Sequence, residues 1–378
     1  MSARHTGPRT LVVRLDSAGD VLLAGPAVRA VAAGSAYTAM LCGPLGEPAA
    51  RMLPGVDEVL VHDAPWVGFE APPVRRELID ALVDCLAVRR FDRALILSSY
   101  HQSPLPAALL LKLAGIPWTA ADSEHYPGTL LALRHRRGPR RHEARAALDL
   151  AEASGFALPP GDEGALALTA LPDTAPLTGT DPYVVVHPGA AVPARAWSPA
   201  RAARAVAALE EAGHRVVVTG GPAEKELTAD TADGIALDLG GRTSFPELAG
   251  VLAGADVVVT GNTGPSHLAA AVGTPVVCLF APVVPAERWA PYRVPHRLLG
   301  RQDAACAGSR ARVCPVPGHP CLDSVTDAEV LAAVAALSEP DGAALPAPDV
   351  AAPSEPDGAD VAAPAAPGGA DDDRKEPE

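Results

Sequence analysis

The stretch GNTGPSH, Gly261 to His267, follows an apolar, strand-like run and opens an alanine-rich helical one. Small residues, hydroxyls and an imidazole at such a corner suit a phosphate. A helix start offers unpaired N–H groups and roughly half a positive charge, and glycine lets a ligand approach the backbone. Asn262, Thr263, Gly264, Ser266 and His267 are the candidate contacts. The same residues also describe an ordinary βα corner closed by a capping hydroxyl. A second glycine corner, TGGPAEKEL, lacks the lysine position of a Walker A loop, so nucleotide hydrolysis is not indicated. Its Glu224 could accept hydrogen bonds from a ribose or favour a helix N-terminus, and the local pattern prefers the second.

Two further corners carry charge. HPGAAVPARAW places Arg195 where it could neutralise a diphosphate or stand as a solvated loop cation. RLDSAGDVLLAGP sets Asp16 and Asp20 around Ser17, Ala18 and Gly19. A carboxylate there could be a general base; helix N-capping is the local alternative. No G-x-G-x-x-G follows the first strand of either half, which argues against a dinucleotide oxidoreductase.

The elements that must carry these corners alternate strand and helix. RTLVVRL, TAMLCG, DEVLVHD and RALILSS read as strands of the first half, with helices after Asp20, over VRRELIDALVDCLAVRR, over SPLPAALLLKLAG with a cap at Ser103, and over HEARAALDLAEASGF. Ala157 to Asp181 is rich in Pro, Gly, Asp and Thr without periodicity and reads as a linker. The alternation then restarts with Val-rich runs, which imply parallel sheets covered on both faces. The expected layout is α/β, with two Rossmann-like domains facing across a cleft: 1–156, a linker 157–181, 182–337, and 338–378 an acidic, Pro/Ala-rich, disordered tail.

Of the formal charge of −14, the segment from Ser338 onward carries −9, from eleven acidic and two basic residues. The rest is close to neutral and indicates no nucleic-acid partner. Absence of a membrane-length apolar run and of a signal-peptide core makes a cytoplasmic protein the expectation. Leu133 to Arg145 holds six arginines, which suit a phosphorylated or acidic ligand or a solvated basic loop. Cys306, Cys314, Cys321 and His319 are the residue types of a zinc site, but no tight C-x₂-C knuckle occurs; buried thiols or a loop disulfide fit better, and no metal is expected.

The chain resembles glycosyltransferase family 9, heptosyltransferase-like enzymes of the GT-B fold. The resemblance runs from about Thr10 to Leu337 and rests on VVRLDSAGDVLLAGPAVRAV, on HPGA with RAWSPARAARAVAAL, on GGPAEKEL, on LGGRTSFPELAGVLAGADVVVTGNTGPSHLAAAVGTPVVCLFAP and on CPVPGHPCLDSV. It implies inverting, metal-independent transfer of a sugar, such as a heptose, from a nucleotide-diphosphate sugar (ADP favoured) to a hydroxyl of a glycan or glycolipid, with no other cofactor. Enzymes of this type serve cell-envelope glycan synthesis, and a membrane-linked acceptor would bring the protein to the inner face of the membrane. Asp20 matches the family's catalytic aspartate, and Arg195 falls where a lysine often faces the donor phosphates. Glu224 matches the ribose-holding acid, Thr243 begins the adenine-contacting segment, and Thr263, Gly264 and His267 match the phosphate corner. In this reading 1–156 is the acceptor side and 182–337 binds the nucleotide sugar. His142 and Glu143 resemble residues that begin the helix HEARAALDLAEASGF in the family and would border the acceptor, with Gly19 and Arg141 on the same side. Asn262 replaces the aspartate of well-known heptosyltransferases, which bears on the donor sugar. A two-Rossmann nucleotide-sugar epimerase and a non-catalytic nucleotide-sugar-binding protein are the competing classes.

Overall fold

The computed structural model describes residues 7–68 and 71–338; apart from Ser338, the segment expected to form the tail lies outside them. Two six-stranded sheets result, every pairing parallel. The first contains β1 Arg9–Arg14, β2 Tyr37–Cys42, β3 Glu58–Val61, β4 Arg93–Ile96, β5 Trp118–Asp122 and β6 Leu133–His135, in the order β3-β2-β1-β4-β5-β6. The second contains β7 Val184–His187, β8 Val216–Val218, β9 Leu237–Asp238, β10 Val257–Gly261, β11 Val276–Leu279 and β12 His296–Leu299, in the order β12-β11-β10-β7-β8-β9. Counted from each half's own first strand, the two orders are the same Rossmann order.

Strands buried on both faces need apolar residues along their length, as β11 (VVCL) has and as β7 (VVVH) has up to its closing His187. Val258 in β10 pairs with Val185 and Val276, so the centre of the second sheet is a valine lattice. The sequence pattern did not anticipate β5, β6 or β12. β6 (LRH) and β12 (HRLL) are edge strands with half-buried or exposed residues, and the centre of β5 (WTAAD) is two alanines, which mark no strand. Ser103 also falls one residue short of the expected cap. The helix Leu105–Leu113 is preceded by Pro104, and the Ser103 hydroxyl accepts from Leu105 N at 3.3 Å.

Between the sheets lies one continuous apolar cluster. It joins Leu23, Leu53 and Leu150 of the first half to Leu252, Leu268 and Phe280 of the second. Each such side chain contributes about 1.5–3 kcal/mol on burial, so the halves are held together and not merely tethered. The segment expected as linker lies along this junction. Arg29 grips Asp162 through Nε (2.6 Å) and Nη2 (2.9 Å), and Thr169 N donates to Met52 O at 2.8 Å. Among the described residues no helix is long and apolar enough to cross a membrane.

Candidate active site

In an open parallel sheet, ligands bind beyond the carboxyl ends of the strands where the strand order reverses. Here that point lies between β1 and β4 in the first sheet and between β7 and β10 in the second. The turns after β1 and β10 meet: the helix Ala18–Leu23 packs against the helix Gly264–Ala271.

Asp20 occupies the first turn of its helix, which begins after Ser17, so the N-cap alternative for Asp20 fails. Its Oδ1 accepts from Arg14 Nη2 at 2.9 Å and its Oδ2 from Ser17 Oγ at 2.8 Å. Burial alone would raise this carboxyl. The Arg14 guanidinium, the Ser17 hydroxyl and His267 outweigh it and hold Asp20 below its ordinary value. It is therefore an anion at neutral pH.

Facing it, Arg195 ends the 3-10 turn Pro193–Arg195. The sequence allowed a solvated loop cation, but Arg195 is half-buried and its buried Nε finds no partner. Burial lowers its pKa, with Asp20 opposing. Gly261 makes this turn possible: a Cβ there would stand 3.1 Å from Arg195 O, so the glycine admits the turn over the end of β10.

Thr263 takes the N-cap position of the next helix, yet its side chain makes no capping bond. Space above Gly264 is open. Pro265 has no N–H and Ser266 N turns back to Thr263 O at 3.1 Å, so the anion contacts reduce to Gly264 N–H, the Thr263 hydroxyl and the helix dipole. His267 is buried, its Nδ1 is unpartnered, and burial lowers it to about 4, with Asp20 opposing and Arg195 adding. It is neutral at pH 7.

The family model described as Glycosyltransferase family 9 (heptosyltransferase) matches residues 80–319. The chain belongs to glycosyltransferase family 9. Lipopolysaccharide heptosyltransferase 3 of Escherichia coli (strain K12) is 35% identical over 108 residues, and this stretch covers 26% of the chain and only 31% of that relative. The solved family 9 glycosyl transferase from Veillonella parvula DSM 2008 superposes with a TM-score of 0.70 at 18% identity, covering 89% of this chain and 98% of that one. E. coli heptosyltransferase WaaC with ADP-2-deoxy-2-fluoro heptose gives 0.64 at 23% identity, covering 86% and 98%. At these identities the solved structures establish the fold, which is GT-B.

Several expected contacts of this family 9 chain sit elsewhere. Ser266 is fully buried, its Oγ 3.9 Å from Cys278 Sγ, so it faces the sheet beneath its helix. Asn262 spends its amide on one residue: Nδ2 donates to Ala281 O and Oδ1 accepts from Ala281 N, both at 3.2 Å. An aspartate would set a carboxylate against that carbonyl, which is reason enough for asparagine here. Gly19 is a point of contact between halves; a Cβ would meet His267 Cδ2 at 3.0 Å and Gly264 Cα at 3.3 Å. Glu224 accepts from Gly221 N at 2.7 Å, the capping role, while its Oε1 fills the space that Gly189 leaves. Thr243 is half-buried and directly precedes Ser244, the cap of the helix Phe245–Ala253.

On the acceptor side, Arg141 holds Asp149 through Nε (2.6 Å) and Nη2 (2.9 Å). His142 bridges the halves instead of lining a pocket. Ala144 N donates to its Nδ1 at 3.2 Å, so Nε2 carries the proton and donates to Ala290 O at 3.0 Å, with the ring stacked on Tyr292. Burial lowers His142 to about 4. A histidine free to protonate near ~6.5 when unfolded but only near 4 when folded takes stability away as pH falls through that window. The melting temperature should therefore drop from pH 6.5 to 4, and His142→Gln, which keeps one acceptor and one donor, should flatten the drop.

Two adjoining cavities open at the ends of β1, β4 and β5. One, about 350 Å³, is lined by Asp16, Trp66, His101, Gln102 and Pro106; the other, about 560 Å³, by Ser99, Tyr100, Ser123, His125 and Arg136. Of the six arginines between 133 and 145, Arg134, Arg137, Arg141 and Arg145 are engaged internally, as with Arg137 on Asp122 (2.9 Å) and Glu143 (2.8 Å). Trp66, the Ser99–Gln102 turn and Arg14 are site residues that sequence reasoning missed. Only Arg14, a charge ending a valine-rich strand, carried a signal. The cysteines are free thiols, Cys306 and Cys321 buried, and burial pushes Cys321 up to about 11. Among the described residues no three His, Cys, Asp or Glu side chains are grouped to hold a metal.

Proposed function

We propose that this chain transfers a heptose or similar sugar, with inversion and without a metal, from an ADP-activated donor to a hydroxyl of a glycan or glycolipid. The carrying observation is the opposition of an ionised carboxylate, Asp20, to a desolvated cation, Arg195, whose buried Nε has no hydrogen-bond partner among the described residues. A half-buried guanidinium without a partner is costly until an anion arrives. A donor diphosphate is such an anion, and the open space at Gly264 adjoins it.

With the diphosphate on Arg195, Thr263 and Gly264 N–H, the anomeric carbon would face the first half. The acceptor hydroxyl enters from the two cavities, and Asp20 removes its proton as the oxygen–carbon bond forms and the carbon–oxygen bond to the diphosphate breaks. Arg195 and the helix dipole stabilise the charge that collects on the leaving group. His267, neutral and packed against Gly19, shapes the wall between base and phosphate without adding charge. Glu224 and Thr243 would hold the nucleoside. The ADP-heptose preference is supported by the solved WaaC complex with ADP-2-deoxy-2-fluoro heptose, and a lipopolysaccharide-type acceptor by the name of the E. coli relative. A cytoplasmic location, with approach to a membrane-borne acceptor, accords with this reading, as does the division into halves of 1–156 and 182–337.

The test is a thermal-shift panel of ADP-, UDP- and GDP-sugars, followed by nuclear magnetic resonance of the donor incubated alone and with core oligosaccharides. ADP-heptose should raise the melting temperature most and turn over only with acceptor. Donor converted to an epimer without acceptor would replace the transferase by an epimerase.

A further inference from the structure

We propose that Arg14 is a positioning residue for the transfer: its one guanidinium clamps the base Asp20 to Asp16 in the cavity wall and to the turn after β4. This rests on Asp20 acting as the base. Arg14 ends β1 and is 3% exposed. Nε lies 2.9 Å from Asp16 Oδ2 as an ion pair without hydrogen-bond alignment, Nη2 donates to Asp20 Oδ1 at 2.9 Å and to Ser99 Oγ at 2.8 Å, and Nη1 donates to Leu97 O at 3.0 Å. Gln102 extends the clamp: its Nε2 donates to Asp16 Oδ1, and its Oε1 accepts from Ser99 N at 3.0 Å. One planar fork thus fixes the base, one carboxylate of the smaller cavity, and the Ser99–Gln102 turn that borders both cavities.

Burying a guanidinium is tolerated only when it is paired, and one carboxylate would have sufficed for that. The second leaves the cluster with excess negative charge, divided unequally. Asp16 is raised, by burial first and by Asp20 and Glu143 after it, while Asp20 is lowered. Two carboxylates pushed apart in this way acquire different tasks. Asp20 stays ionised to take the acceptor proton, and Asp16 is the partner that resists ionisation. Lysine could supply charge here but not the fork, since its ammonium is a point donor. The groups acting on Asp20 from neighbouring elements are Arg14 and Asp16 at the end of β1, Ser17 in its own turn, His101 after β4, and Arg195 and His267 from the second half. Glu143 acts through Arg14 and Asp16.

The experiment titrates the Asp20 carboxyl by carbon-13 resonance in the full chain, with the signal assigned by Asp20→Asn, in wild type, Arg14→Met, Arg14→Lys and Asp16→Asn. Arg14→Met should move the Asp20 titration upward by a unit or more, a tenfold change in proton affinity. Arg14→Lys should restore part of that shift, and Asp16→Asn should move the titration further down. Should Arg14→Met fail to fold, Arg14→Lys decides, since loss of the fork should leave its Asp20 titration above that of the wild type. An Asp20 titration unmoved in the folded variants overturns the proposal. Binding of ADP-heptose by calorimetry should survive all three substitutions. Transfer undiminished in Asp20→Asn would remove the base assignment itself, and the titration would still report whether Arg14 grips the carboxylate.

Discussion

Asp20→Ala is expected to lower the proposed sugar transfer by about 10²- to 10⁴-fold, the usual contribution of a positioned general base, while ADP-heptose, the proposed donor, should bind with nearly unchanged affinity. The asymmetry follows from geometry. Asp20 touches Arg14 and Ser17 on the first half, whereas Arg195, Thr263 and Gly264, the proposed phosphate contacts, lie on the second. Because Asp20 is held below the ordinary carboxylate range, the base form persists through neutral and mildly acidic pH. The rate should therefore lose its base only when pH falls below about 4, the ordinary aspartate value. Initial rates of ADP release in wild type and variant, beside calorimetric donor affinities, check both parts. A variant that binds donor tenfold more weakly but turns it over at the wild-type rate would mean Asp20 is a binding residue and the base is elsewhere.

Arg195→Met is expected to show a different pattern: transfer falls by about 10²- to 10³-fold, the scale for removing one donor of charge stabilisation, and the protein becomes no less stable. Among the described residues Arg195 forms no ion pair and its Nε is orphaned, so removing the guanidinium relieves a desolvation cost that the charge of Asp20 offsets only in part. ADP affinity should fall with the rate, since the same cation would meet the phosphates before and during reaction. Arg195→Lys keeps charge without the fork and should recover affinity more than rate. Melting temperature, ADP affinity and rate, measured together, separate the cases. A marked fall in melting temperature would make Arg195 a structural residue of its turn.

What the two halves do to each other is written in side chains that look unremarkable in sequence. Gly19 reads as part of a flexible turn, yet its missing Cβ is the space into which His267 fits, roughly 250 residues later. His142 reads as a helix start beside a basic segment, and it is one, but its other nitrogen reaches Ala290 of the second half. Arg288 likewise crosses to lie over Tyr100, 4.3 Å from the ring centroid. Local pattern cannot report such contacts, because each depends on how the two sheets are brought together.

The chain order of apolar runs and corners by itself determined a parallel α/β architecture in two halves, and it marked Asp20, Arg195 and the Gly261–His267 corner as places for chemistry. Those features are local: periodicity sets the elements, and βα turns sit at strand carboxyl ends wherever they occur in the chain. Tertiary structure decided which corner residues are free to act. Asn262 and Ser266 turned out to brace the corner, Thr263 and Gly264 to stay open, and Arg14 to emerge from the end of a strand as the clamp on the base. The physical reason is that a polar side chain is available to a ligand only when no buried backbone or opposing charge already claims it, and those claims come from segments distant in sequence.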